Sequence, residues 1–408
     1  MSWRVPARWR LSALGAAGLG LVAALHALWL PGYLWLTTLS DGQPKRHPFV
    51  DLHDILLAGQ CWRQGVNVYA PSACLGGGVF NYAPALLRLA WLPLGTPDTL
   101  AGGLLFCAAY LLALRLLPVS QGRFWPLAAG CFSTSAFYAL EQANLDVLVF
   151  GLCLLGVWAQ RGRLPARLAG YGLFTACAAA KFYPAALLVL ALRERRAVLL
   201  ALGGAGLVVG LGLAVPLWHG MAAALGAIPS GTPFRATFGR IDLARGMVML
   251  GWLPGLPGLG RAGTASLASW LMAAAALGLA VRGRAGWAAA LARLPDEERL
   301  LLVAAGAVYG LCFLAAQNVE YREVFLLPTL PGLLRLGRTG LVAGIFLLLW
   351  EAAGRDLVGG ITPYSYHPGA GLAAFWAVRE LASWWVFTAL AGLSWAFAAR
   401  ETGRLRQG

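Results

Sequence analysis

The chain has 408 residues, of which 59% are hydrophobic and only 12% charged, about half the charged share of an ordinary globular protein. So few charges cannot cover the surface of a soluble fold of this length, and the apolar residues fall in long runs. A secreted enzyme, a disordered chain and a nucleic-acid-binding domain are excluded, leaving an all-α polytopic membrane protein. The net charge of +15 is carried by arginine, Lys45 and Lys181 being the only lysines, so no lysine-rich nucleic-acid-binding tail exists.

Arg4, Arg8 and Arg10 precede an apolar stretch from Leu11 to Pro31, long enough to cross roughly 30 Å of hydrocarbon as an uncleaved first span. Further apolar segments lie at about 99–118, 124–140, 144–160, 168–181, 184–193, 197–218, 264–282, 300–317, 322–335, 339–353 and 373–398. They predict about ten to twelve crossings in a single membrane domain, 1–408. Segments 184–193 and 322–335 are short enough to be tilted, broken or re-entrant, and 83–94 reads as a short helix at the outer interface. With the N-terminus inside, the inner loops and adjoining helix ends hold 20 arginines against 5 acidic residues. The outer side holds 12 Lys or Arg against 12 Asp or Glu. The positive excess therefore falls on one face, the bias expected of a bacterial-type inner (plasma) membrane protein with both termini cytoplasmic.

The outer loops are then the informative ones. The first, about 40–82, carries Asp51, His53 and Asp54 at the start of a helical stretch. Carboxylates three residues apart share a helix face and can supply a general base or hold a cation. The plainer alternative is a solvated helix start capped by Asp51. The loop ends on Phe80-Asn81-Tyr82-Ala83-Pro84, aromatics that often serve only as interfacial anchors. The turn Glu141-Gln142-Ala143-Asn144, followed by Asp146, puts ionisable groups beside hydrocarbon, where they are costly without partners.

Lys181-Phe182-Tyr183-Pro184 places a rare lysine where an apolar helix meets a proline break. Snorkelling to the interface competes there with binding a phosphate. Glu320-Tyr321-Arg322-Glu323 is a third charged turn, whose Arg322 has adjacent glutamates as ready partners. The 219–263 loop adds Arg235, Arg240, Asp242 and Arg245, read as solvated charges, and the 354–372 loop offers Tyr364, Tyr366 and His367. The seven cysteines form no metal spacing, so no metal or other cofactor is expected, although Asp51 and Asp54 leave a divalent cation open. Cys61 and Cys74 share the first outer loop and could form a disulfide in an oxidising exterior or remain free thiols.

Asp51, Ala58, Gly65, Asn67 and Tyr69, then Tyr82 and Pro84, resemble the first outer loop of glycosyltransferase family 87. That family contains polyprenyl-phosphate-mannose-dependent mannosyltransferases. Gln142, Asn144, Lys181, Tyr183 and Pro184 match further positions, so the resemblance spans roughly residues 45–200, with a weaker echo at Tyr321–Pro331. Ala83 and Glu141 depart from the pattern, and 219–300 offers no match.

The resemblance implies a glycosyltransferase C-like helix bundle with a helical first outer loop and a catalytic carboxylate at Asp51. It implies an enzyme moving a sugar, mannose first, from a polyprenyl-phosphate donor to a glycan or glycolipid acceptor on the outer face. Asp54 and His53 join the candidate site by proximity, as catalytic and substrate-binding residues respectively. Tyr82, Gln142, Asn144, Lys181, Tyr183, Tyr321, Arg322 and His367 complete the substrate-binding candidates. A lipid-sugar transporter or flippase, and a non-catalytic envelope assembly partner, are the alternatives.

Overall fold

The structure, a computed structural model, describes residues 7–41, 44–226, 231–315, 317–359 and 368–407. The protein is almost entirely helical, as expected; the strand content among the described residues is one antiparallel pair, Thr237–Phe238 with Asn318–Val319. Five helices are long and apolar enough to cross a membrane: Trp9–Leu28, Thr96–Leu116, Gly260–Arg282, Asp296–Ala315 and Ala370–Leu405. A sixth span is available if the broken pair Thr134–Glu141 and Leu145–Ala159 counts as one. Bulky side chains such as Leu28, Trp125 and Leu200 lie open on the surface, at 86, 73 and 75% exposure, which suits lipid rather than water.

Fewer segments qualify as spans than the expected ten to twelve, because several apolar runs are interrupted. The 124–140 run breaks into Phe124–Cys131 and Thr134–Glu141, and the 339–353 run into Thr339–Leu349 and Glu351–Gly359. Of the two runs expected to be tilted, broken or re-entrant, 184–193 winds as the 3₁₀ helix Tyr183–Arg193, and 322–335 divides between the 3₁₀ helix Glu320–Thr329 and the α-helix Leu330–Arg335. Runs of 3₁₀ helix are uncommon beyond a few residues. The tighter helix rises about 2.0 Å per residue against about 1.5 Å for an α-helix, so each short run reaches further than its length suggests.

The chain divides into two compact units, each built from discontinuous segments. One comprises residues 47–113 and 140–230, with a C-terminal remnant. Its core is the Leu145–Ala159 helix, packed against Thr99–Ala113 and Leu164–Ala180. Tyr110 meets Phe150 at 5.6 Å between ring centres. At the other end, Arg167 is held by both carboxylate oxygens of Glu194 at 2.8 and 2.9 Å, and Tyr171 Oη donates to the same group.

The segment expected to form the first outer loop folds over its own small core of Ala58, Cys61, Val68, Phe80 and Leu87. Arg63, at the end of the Val50–Arg63 helix, donates to the carbonyls of Ala90, Leu92 and Leu94 at 3.1, 3.0 and 2.7 Å. Those carbonyls lie at the end of the Arg88–Trp91 3₁₀ turn and in the irregular stretch after it, so the guanidinium supplies donors the local backbone lacks. Arg63→Ala is expected to destabilise the loop by about 1–3 kcal/mol, read as a lower melting temperature in detergent. An unchanged melting temperature would show that the clamp is dispensable.

The other unit comprises residues 1–46, 114–139 and 231–403. Its centre is aromatic: Phe313 stacks on Phe387 at 4.6 Å and meets Trp384 edge-on at 4.8 Å, and Phe238 lies parallel to Tyr309. Arg123 and Arg335 share Glu298, so part of the arginine excess is consumed in local ion pairs.

Candidate functional site

The Val50–Arg63 helix starts two residues earlier than a cap at Asp51 requires. Its N-cap is Phe49, in a left-handed conformation (φ 70°), with no side-chain cap. Asp51 therefore sits inside the first turn, where a carboxylate faces the positive end of the helix dipole. The orphan N–H groups of that turn are taken by another segment. Phe49 N–H donates to the Glu141 carbonyl, and the N–H groups of Asp51 and Leu52 donate to the Gln142 carbonyl, at 2.6, 3.2 and 3.4 Å. Two clusters that lie 90 residues apart in sequence are thus joined through backbone.

Ala143, in the middle of the receiving turn, also has positive φ (44°). Phe49 and Ala143 are the two positive-φ non-glycine residues among those described, and both lie at this junction. Strained backbone of this kind persists only where the surroundings over-determine it, and it gathers at functional sites.

Side chains continue the connection. Asn144 Nδ2 donates to Asp51 Oδ2, while Asn144 Oδ1 accepts from Lys181 Nζ at 3.0 Å and from the Asp146 N–H at 2.9 Å. Lys181 also pairs with Asp146 at 2.5 Å, and Tyr183 Oη donates to the same carboxylate. Lys181 Nζ stands 5.1 Å from the centre of the Tyr82 ring. The result is a polar chain, Asp51–Asn144–Lys181–Asp146–Tyr183, in which Asn144, Asp146 and Tyr183 are fully buried and Lys181 nearly so. Asp51, half-buried, is its most accessible end.

The remaining sequence candidates are distributed around this chain. Gln142 is buried and its amide donates to Glu141 Oε2 at 2.8 Å. His53 and Asp54 are exposed one turn along the helix, with His53 Nδ1 3.4 Å from Thr99 Oγ1. The protein around Asp54 desolvates its carboxyl and raises it above the usual carboxylate range, an effect the neighbouring His53 opposes. Among the described residues no group of three or more His, Cys, Asp or Glu is placed to hold a metal ion.

Cys61 and Cys74 form a disulfide, with Cα atoms 6.1 Å apart, closing the loop that contains Gly65, Asn67 and Tyr69. Replacing both cysteines with serine is expected to cost about 2–3 kcal/mol of stability, measured as a lower melting temperature. Peptide mapping that found both thiols free in protein from native membranes would remove this bond.

Tyr321 and Arg322 belong to the other unit. Tyr321 meets Tyr138 edge-on at 5.4 Å, and Lys45 Nζ lies 4.6 Å from the Tyr138 ring centre. Arg322 donates to Asn318 Oδ1. The flanking glutamates turn elsewhere: Glu323 to Arg379 at 3.1 Å, and Glu320 to Arg355 at 3.9 Å. His367, with Tyr364 and Tyr366, lies outside the described residues.

This second unit contains a buried charge cluster that the reading of the sequence passes over. Arg379 bridges Glu323 and Glu380, and Arg355 bridges Glu351, Glu320 and Asp356. Burial, with Glu351 beside it, pushes the Glu320 carboxyl well above the usual carboxylate range. Asp242 corrects the expectation of a solvated loop charge. It is fully buried, accepts from Gln317, and is raised by burial and by Glu380. The available sequence signal is Arg379-Glu380 inside the apolar 373–398 run, a position where charges are rare unless partnered.

No protein-family model matches the chain, and no curated protein and no solved structure matches it.

Proposed function

We propose that this chain is an inverting membrane glycosyltransferase that moves a hexose, mannose by resemblance to glycosyltransferase family 87, from a polyprenyl-phosphate donor. The acceptor is a glycan or glycolipid on the outer face of a plasma membrane, the orientation favoured by the arginine bias. The observation that carries the reading is the polar chain from Asp51 through Asn144 and Lys181 to Asp146, assembled from three separate segments of an apolar protein. Burying so many polar groups is costly, and a packed helix end does not require it.

The chemistry follows from the residue types. A sugar on a lipid phosphate already has a good leaving group, so one base suffices. Asp51 takes the acceptor hydroxyl proton while that oxygen attacks the anomeric carbon from the face opposite the phosphate. The anomeric C–O bond breaks, and polyprenyl phosphate leaves with the electron pair. Attack from the opposite face inverts the configuration. Asn144 orients the Asp51 carboxylate, and Lys181 supplies positive charge toward the departing phosphate. Its pairing with Asp146 fixes the ammonium in place before substrate arrives.

One observation favours a second reading. Charges buried within the Ala370–Gln407 helix, Arg379 and Glu380, are the kind that line transport paths. Purified protein in proteoliposomes, given labelled polyprenyl-phosphate sugars and candidate acceptors, separates the two. Label appearing covalently on an acceptor supports transfer. Label that only changes leaflet supports a flippase.

A further inference from the structure

Beside the first outer loop lies a cavity of about 480 Å³, within the range of roughly 300–1,000 Å³ typical of small-ligand sites. Trp62, Asn67, Tyr69, Pro84, Arg88 and Gly220 are among its lining residues, all within one compact unit. We propose that this cavity is a carbohydrate-binding subsite that holds a saccharide segment of the acceptor. Only the word acceptor rests on the glycosyl-transfer reading; the binding of carbohydrate does not.

Three features point to a sugar. Trp62, which lines the cavity, is 45% exposed, so part of its indole surface is open to a ligand. The face of an aromatic ring is electron-rich and attracts the C–H face of a pyranose, which a flat indole matches in size. Asn67 accepts from the Tyr69 N–H through Oδ1, while its amide nitrogen has no partner among the described residues. Arg88 likewise forms no ion pair or hydrogen bond among the described residues. An apolar face flanked by an unused amide donor and an unused guanidinium suits a ring with hydroxyl groups on its rim. Both side chains are exposed, and an acyl chain in the same place would offer neither donor an acceptor.

The cavity is also held in shape before any ligand arrives. Trp62, Gly65, Val66 and Asn67 lie within the loop closed by the Cys61–Cys74 disulfide. Arg63 ties the end of the same helix to the carbonyls of 90, 92 and 94, just beyond Arg88. Gly220 brings the Arg196–Gly226 helix against Pro84 and Tyr69, where a Cβ would approach Pro84 to 2.8 Å. The cavity adjoins the polar chain through two aromatic residues. Tyr69 Oη donates to the Tyr82 carbonyl at 3.3 Å, and the Tyr82 ring faces Lys181. A saccharide on the Tyr69 side is therefore one aromatic layer from the candidate catalytic residues.

The test uses full-length protein in nanodiscs without donor. Saturation-transfer NMR is recorded with soluble di-, tri- and tetrasaccharides of gluco-, manno- and galacto-configuration, with and without a uronic acid. At least one oligosaccharide should give saturable transfer to its ring C–H protons. Trp62→Ala should weaken that binding about tenfold or more, Trp62→Phe much less, and Arg88→Ala by an intermediate factor. Asp51→Asn should still bind. If no oligosaccharide binds, or if Trp62→Ala and Arg88→Ala bind as the wild type does, the subsite is overturned. That result leaves glycosyl transfer standing wherever the wild type still forms product. Binding through Trp62 in a protein that transfers nothing sinks the transfer reading instead and keeps the carbohydrate site.

Discussion

Asp51→Asn is expected to lower glycosyl transfer roughly 10²–10⁴-fold while leaving the melting temperature within a few degrees of wild type. The substitution keeps the shape of the side chain, and the new amide oxygen can still accept from Asn144 Nδ2. What disappears is the negative charge that the proposed transfer needs to take the acceptor proton. Asp51→Glu keeps the charge but moves it by one methylene, so it should retain more activity than the asparagine variant. Asp54→Asn is the internal control. Asp54 is exposed, but its surroundings partly desolvate the carboxyl and raise it above its unfolded value, so its ionised form is disfavoured in the folded protein. Stability from that group is present at low pH and is lost as pH rises from the unfolded value through the folded one. Asp54→Asn removes the penalty, so at neutral pH the variant should be at least as stable as wild type and should lose far less activity than Asp51→Asn. Wild-type turnover in Asp51→Asn would take Asp51 out of the base role.

The contrast between these two aspartates marks how far the sequence could be read. Asp51, Asn144 and Lys181 are legible because charged and amide side chains are rare in this chain and stand out at the ends of apolar runs. Their meeting is not legible, since it depends on Glu141 and Gln142 offering backbone carbonyls to a helix 90 residues earlier. Nor is the pairing of Lys181 with Asp146, which only the return of the chain after Ala180 makes possible. The 3₁₀ winding of Tyr183–Arg193 is visible from sequence only as a run too short to cross, with a proline at its start. Asp242 misleads for a different reason. Its own neighbourhood is polar, and burial comes from the distant 318–319 strand pairing with 237–238 and bringing Gln317 across it. Arg379 and Glu380 hide because sixteen or more apolar neighbours outweigh two adjacent charges in any average taken along the helix.

Lys181→Met is expected to destabilise the protein by about 3–5 kcal/mol, because it leaves the fully buried Asp146 carboxylate without its cation. Asp146→Asn should cost a similar amount, by leaving the ammonium of Lys181 uncompensated. Together the two changes should restore most of the loss, since a buried pair replaced by neutral groups of like size is often close to neutral. Tyr183 Oη keeps an acceptor in the new amide oxygen, so its hydrogen bond need not be abandoned. The double variant then separates two roles that the single variants confound. If Lys181 only anchors the helix end, Lys181→Met/Asp146→Asn folds and transfers sugar with the donor KM of wild type. If Lys181 stabilises the departing phosphate, the double variant folds but loses about tenfold or more in kcat/KM for the polyprenyl-phosphate donor. The second result is the expected one. A lysine serving only as an interfacial anchor gains by reaching water, whereas Lys181 is 8% exposed and shares Asn144 with the Asp51 carboxylate.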